Sequence, residues 1–293
     1  MAIWPFGTRE EASLSTEQRA ALSAVVANAK YELIPLKNVR DQAAALPPGA
    51  RATVTASPTH GIEATFDISE HVAKLGHEVT PHLSAHMIRD RAHLKDLLDR
   101  ARAIGLTHAF IVGGDAKDAG GEFHNGLELL RALDELGHPF QDLGVPSYPE
   151  GHVDIADDML LRALKDKQRY AKQTTTQMSF NPGAVSTWVD TIRREGVTLP
   201  IYLGVPGVLE VTKLMSIAAR IGVGASASFL SKNMGLVGAL VRPGSFGADT
   251  FLKSLADTIA NPASKVVGLH IFTMNQVPAT VEWHRKLQSE LSA

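Results

Sequence analysis

A single (β/α)8 barrel of the α/β class is the fold predicted by three features of the sequence. Apolar, β-branched runs of strand length alternate with stretches of helical pattern along most of the chain, which favours a parallel sheet. Eight such runs occur, and that number favours a closed barrel over an open doubly wound sheet. The chain has 293 residues, enough for one such domain, with no internal repeat, low-complexity segment or linker to divide it.

The elements follow in order. Residues 14–29 read as an N-terminal helical extension (1–29) outside the barrel repeat, with Ser15 or Thr16 as cap and Glu17 in the first turn. The strand candidates are "YELIPL" (31–36), "ATVTAS" (52–57), "HEVTPHLS" (77–84), "HAFIVGG" (108–114), "DLGVPSY" (142–148), "TTTQMSF" (174–180), "PIYLGV" (200–205) and "VVGLHIFT" (266–273). The first connecting helix is short, because "LPPGAR" follows it closely. Further helices are expected over 88–104, 125–137, 154–171, 183–195, 208–221 and 277–291. A long insert, 222–265, reads as extra helices before the last strand.

Composition narrows the chemistry. Hydrophobic residues make up 44% and charged residues 20%, with a formal net charge of −2. No basic stripe points to nucleic acid, and no block of like charge points to a tail. There is no cysteine, which excludes disulfides, thiolate zinc sites, iron–sulfur clusters and a cysteine nucleophile. The start, "MAIWPFGTREE", lacks the regions of a signal peptide, and no apolar run reaches the ~18 residues of a membrane span. A cytoplasmic setting without membrane partners is the expectation.

In a barrel of this kind the chemistry gathers at the C-terminal ends of the strands. Polar residues in or just after the predicted strands are therefore the candidates: Glu32, Thr55, His82, Asp115, Tyr148, His152 and Gln177. Glu32 interrupts an apolar strand. Desolvation there favours the protonated form of a carboxyl, the form a general acid needs; an ion pair or an edge facing water is the plainer alternative. Asp115 follows two glycines, which let a ligand approach the backbone, although Asp-Gly clusters also make caps and turns. Neither GxGxxG nor a Walker lysine accompanies them, so a phosphate loop is a weak reading. Gln177 offers a donor and an acceptor to a heterocycle edge, or bonds neighbouring strand ends. The spacing of His77, His82 and His86 does not match a zinc motif, and no metal is expected. No GxSxG elbow supports a serine hydrolase.

From about Tyr31 onward the chain resembles the methylenetetrahydrofolate reductase family. The markers run in family order: "YELIPLK", "ATVTA", "TPHLS", "IVGGD", "YPEGH" (148–152), "TTQMSF", "GVPGVLEV" (204–211) and "HIFTMNQ" (270–276). The resemblance implies reduction of 5,10-methylenetetrahydrofolate to 5-methyltetrahydrofolate with NADH or NADPH, or the reverse oxidation, in one-carbon metabolism. It implies Glu32 as the general acid at N10 of the folate. It implies Asp115 as the charge that stabilises the 5-iminium, and Gln177 as a hydrogen-bond partner of the pterin. Thr55, His82, Gly114, Asp115, Tyr148, His152 and Lys167 fall at family contacts to FAD. Four positions depart from the family: Gly113 replaces an arginine, Ala163 an asparagine, and Ser216 and Arg220 a glutamine and a phenylalanine. Two hydride routes therefore stay open, through flavin or directly from NADH as in the short flavin-independent members. A folate- or flavin-binding barrel without reductase activity is the alternative, and homo-oligomerisation is left open.

Overall fold

The computed structural model describes residues 14–114, 120–208 and 248–293. In chain order the elements are α1 (Thr16–Ala27), β1 (Ala29–Leu33), α2 (Val39–Ala43), β2 (Arg51–Val54), α3 (Gly61–Lys74), β3 (Glu78–Ser84), α4 (Arg91–Ile104) and β4 (His108–Val112). There follow α5 (Gly126–Leu136), β5 (Asp142–Ser147), α6 (Asp157–Lys167), β6 (Gln173–Thr176), α7 (Pro182–Arg194) and β7 (Ile201–Pro206). The chain then gives α8 (Asp249–Ser254), α9 (Ala256–Ala260), β8 (Val266–Phe272) and α10 (Val277–Ser292). The strands form a closed barrel in sequence order, every neighbouring pair parallel, with β8 returning to β1. This is the (β/α)8 arrangement that the eight alternating runs predict.

Local signals set the helix ends. Ser15 accepts from the Gln18 amide while the Gln18 side chain accepts from the Ser15 amide, a reciprocal capping box. Asp90, Asn125 and Asn181 cap α4, α5 and α7 through their side-chain oxygens. Gly105 ends α4 at φ 81°, the left-handed conformation glycine adopts without strain. The predicted insert begins its described part at α8 and α9, which are helical as expected; the rest of 222–265, and all but the first residue of the helix expected over 208–221, lie outside the described residues.

Alternation along β1 sorts its side chains. Tyr31 points outward: its hydroxyl meets His284 Nδ1 on α10 at 2.6 Å. The other ring nitrogen of His284 meets the Val26 carbonyl of α1 at 2.7 Å, so Nε2 carries the proton and Nδ1 accepts from Tyr31. This chain of bonds ties both terminal helices to the first strand. Lys30 and Glu32 point inward, and Lys30 crosses the lumen to donate to Gln173 Oε1 on β6 at 2.8 Å.

The lumen is polar, unlike the branched aliphatic filling common in such barrels. At its floor Lys30 Nζ lies 4.0 Å from the centre of the Tyr202 ring, and Gln173 Nε2 donates to Asp142 Oδ1 at 3.1 Å. Above the floor, His82, Phe110, His270 and Phe272 pack ring to ring, with centroids 4.7–6.5 Å apart. Glycine makes room for the large rings: a Cβ on Gly144 would lie 2.7 Å from Phe110 Cδ2, and one on Gly268 would lie 2.8 Å from Tyr202 Cδ1. Burial lowers the Lys30 pKa to about 8, partly offset by Asp142 and Glu78 and reinforced by Arg51. Burial, aided by the neighbouring His270, lowers that of His82 to about 3, so its ring is neutral at pH 7.

Both shifts make stability depend on pH. The unfolded chain binds more protons at Lys30 between pH 8 and about 10.4, the free value of lysine, so stability rises with pH across that window. Urea unfolding should show a gain of about 2 kcal/mol between pH 8 and pH 10, using about 1.4 kcal/mol per pKa unit. Above pH 10 the buried Tyr31 phenol, raised to about 12, opposes it. The variant Lys30→Met should lose most of that slope; an unchanged slope would assign it to other groups. At the acid end, His82 costs stability as pH falls below its free value of about 6.5. Thermal melting of His82→Leu between pH 6.5 and pH 4.5 should therefore fall less steeply than that of the unaltered protein.

Candidate functional site

The C-terminal mouth of the barrel gathers the strand ends that carry the predicted site. Glu32 is the first of them. It lies one residue from the end of β1, buried, with Oε2 3.0 Å from His270 Nε2 on the adjoining β8. An ionised carboxylate accepts the imidazole N–H here, and a protonated one donates to the bare nitrogen. The carboxyl thus has one ring partner through which a proton can pass. The water-facing edge suggested as an alternative does not occur, since Glu32 is enclosed.

The turn after β8 holds the same strand end from the other side. Thr273 Oγ1 donates to the Glu32 carbonyl at 2.5 Å and accepts from the Asn275 amide at 3.1 Å. The Asn275 side chain pairs with Ile34 as a neighbouring strand would: Oδ1 accepts the Ile34 N–H at 2.9 Å and Nδ2 donates to the Ile34 carbonyl at 2.8 Å. Met274 and Asn275 both adopt positive φ, 49° and 54°. Two successive non-glycine residues in the left-handed region are strained, and the surrounding hydrogen bonds hold them there.

Thr55 sits just past β2, half-buried; its amide donates to the Leu33 carbonyl at 3.0 Å, and its carbonyl accepts from Thr65 at 3.0 Å. His82 faces the lumen. Its Nε2 and the Thr53 hydroxyl oxygen are buried without a hydrogen-bond partner among the described residues, near the Glu32 layer. His86 does not join His82: its Nε2 meets the His124 carbonyl at 2.9 Å. Among the described residues, no three side chains of ligand type come together to hold a metal ion.

At the end of β4, Gly113 and Gly114 differ. Gly114 has φ 110°, and a Cβ there would run into Ser84 and His86. The Gly113 carbonyl accepts the His86 amide at 3.0 Å, and a Cβ on this residue would meet only Gly126 N among the described residues, at 4.0 Å. Asp115, Ser216 and Arg220 lie outside the described residues. Beyond β5, the rings of Tyr148 and His152 meet edge to face with centroids 5.1 Å apart. At the end of α6, the Lys167 stem reaches to 3.7 Å from a Cβ position on Gly126, beside the end of β4. Burial lowers the Lys167 pKa, and it has no ion pair among the described residues. Ala163 lies on the same helix, half-buried.

Gln177 falls one residue beyond β6 rather than within it. Its side-chain oxygen accepts from the Met178 amide at 2.8 Å, a local bond that competes with the ladder and ends the strand. That leaves its amide NH2 group for other partners. Glu150, in the loop after β5, supports the same turn: Oε1 accepts the amides of Phe180 and Asn181 at 2.7 and 3.0 Å. Burial raises its pKa, and its other oxygen is buried without a partner.

Sequence reasoning passed over His270, Asn275 and Glu150. The signal for His270 was present: with Gly268 and Phe272 it occupies alternate positions of an apolar strand, and a lone imidazole there needs a buried partner. Asn275 had no comparable signal, because its left-handed backbone is visible only in the fold.

Two solved structures resemble this one. An uncharacterised protein from Clostridium thermocellum, described as binding two copies of 5-methyl-5,6,7,8-tetrahydrofolic acid, aligns with a TM-score of 0.62 at 13% identity over 94% of this chain and 99% of its own. Phosphonopyruvate hydrolase, solved with oxalate and Mg²⁺, aligns at 0.51 and 8% identity over 95% and 87%. At these identities the likeness concerns the fold. The sequence itself is more specific: residues 40–288 match the family described as methylenetetrahydrofolate reductase, which is most of the chain. This chain belongs to the methylenetetrahydrofolate reductase family.

Proposed function

We propose that the protein is an oxidoreductase of one-carbon metabolism that converts 5,10-methylenetetrahydrofolate to 5-methyltetrahydrofolate with NADH or NADPH, or runs that reaction in reverse. The observation that carries this reading is the enclosed Glu32–His270 pair at the mouth of a barrel of this family. The methyltetrahydrofolate bound by the Clostridium thermocellum protein supports the same class of ligand.

Glu32, in its protonated form, donates to N10 of the folate. The bond from N10 to the methylene carbon breaks and its electrons stay on N10, leaving a cationic iminium at N5. Hydride addition to that carbon gives the methyl group. His270, bonded to Glu32 through Nε2, supplies the route by which the carboxyl regains its proton. The neutral His82 ring adds no positive charge beside the cation. The Gln177 amide, with its oxygen turned toward Met178, offers its NH2 group to the pterin. Asp115, by the family resemblance, supplies the negative charge that favours the iminium.

The residues present fit a pyridine nucleotide better than a flavin. Lys167, half-buried and without an ion pair among the described residues, suits a phosphate of a dinucleotide. When bound, the nucleotide supplies the hydride. Against a flavin stand two features: His82 turns its ring into the lumen between Phe110 and His270, and Gly113 supplies no cation. Thr55, Gly114, Tyr148 and His152 line the mouth for either ligand.

Incubation with methylenetetrahydrofolate and each nucleotide, with and without added FAD, should yield 5-methyltetrahydrofolate by chromatography. Absence of product under all four conditions would sink the reading. The variant Glu32→Gln keeps the shape and loses the acid, so turnover should fall by on the order of 10²-fold while 5-methyltetrahydrofolate still binds. Turnover equal to that of the unaltered protein would remove Glu32 from the mechanism.

A further inference from the structure

We propose that Asn275 is the positioning residue of Glu32: it acts on the reaction by fixing where the acid sits, without touching the substrate. The inference rests on the reading of Glu32 as general acid. Nothing in the barrel repeat requires the turn after β8 to reach back to β1, yet three side-chain bonds do so. Asn275 Oδ1 and Nδ2 bracket Ile34, two residues beyond Glu32, as a paired strand would. Thr273 Oγ1 takes the carbonyl of Glu32 itself. The Thr273 hydroxyl is oriented in turn by the Asn275 amide, so both anchors depend on the conformation of one residue.

That conformation is left-handed, with Met274 left-handed before it. Asparagine tolerates the region better than most side chains, and its short amide also has the reach to replace a missing ladder partner. A third contact, Asn275 Nδ2 to Asn38 Oδ1 at 3.3 Å, extends the clamp to the residue that precedes α2. The clamp is buried, Asn275 being 1% exposed, so water cannot substitute for a lost bond at little cost. Its geometric effect falls on the backbone from the Glu32 carbonyl to Ile34. A carboxyl displaced by about 1 Å from N10 loses on the order of 10²-fold in rate.

The decisive variant is Asn275→Gly, which retains the left-handed backbone and removes all three side-chain bonds. Asn275→Asp is the second variant; it keeps the acceptor for the Ile34 amide and sets an oxygen against the Ile34 carbonyl. In each, kcat with methylenetetrahydrofolate should fall by about 10- to 100-fold, while KM for the folate and the dissociation constant of 5-methyltetrahydrofolate stay within about threefold. A positioning role makes the loss conditional on the acid. Placed in the Glu32→Gln background, Asn275→Gly should therefore change kcat by less than about twofold. The same fold loss in both backgrounds, or a loss confined to melting temperature with kcat intact, would overturn the assignment and leave the reductase reading standing. No turnover by the unaltered protein would overturn both. If Asn275→Gly does not fold, the same comparison is made with Asn275→Asp.

Discussion

The hydrogen bond between Glu32 and His270 lies on the seam where the last strand returns to the first. The rest of the mouth is arranged around it. A barrel closes only if β8 finds β1, across almost the whole length of the chain, and here the closing pair carries a buried carboxyl. Burying an unpaired carboxylate would cost several kcal/mol. The partner supplied is an imidazole, which can either donate to the carboxylate or accept from the acid. One contact thereby satisfies the folded state in both protonation states of the acid. An arginine at position 270 could satisfy only the ionised state, and would hold the proton off.

That choice propagates through the lumen. With two polar side chains facing inward on β1, the neighbouring strands cannot fill the interior with branched aliphatics alone. The middle layer is built of rings instead; Gly144 on β5 gives Phe110 its volume, as Gly268 on β8 does for Tyr202 at the floor. The floor handles its polar group differently. Lys30 is enclosed by an amide oxygen and the face of Tyr202, so its charge is tolerated rather than neutralised. Burial lowers the pKa of both bases, with different outcomes at neutral pH. His82 loses its proton outright at neutral pH, while Lys30 keeps it with a weakened hold. The neutral His82 ring lies above that cationic floor.

The eight strands and the start of the first helix were legible because each rests on local chemistry. Apolar, β-branched runs mark the strands, and Ser15 was one of the two cap candidates before α1. Boundaries were less legible. The run "TTTQMSF" looks like one strand, but the side chain of Gln177 takes the Met178 amide and stops the ladder at Thr176. In the first strand, Ala29 and Lys30 join the sheet ahead of the apolar run, while Ile34 leaves it to pair with a side chain instead. What could not be read at all were bonds made between distant segments. Asn275 reaching Ile34 and Glu150 reaching Phe180 leave no trace in periodicity, because neither depends on residues near it in sequence.

The two glycines of "IVGGD" are a last case in which the fold separates what the sequence runs together. Gly114 is demanded by structure: its φ is positive and Ser84 and His86 close over it. Gly113 is not. Among the described residues, a Cβ there would meet only the start of α5, at 4.0 Å, the corner that the Lys167 stem also reaches. The first atom of the arginine that the family resemblance expects thus meets no clash with them. Among the described residues, the cation that reaches this corner is Lys167 of α6. A single flexible amine neutralises charge without imposing the planar, bidentate geometry of a guanidinium. Under the proposed function, a phosphate held at this corner by that amine would leave its ring system less constrained, which would suit a nucleotide that enters and leaves on each turnover better than a cofactor that stays.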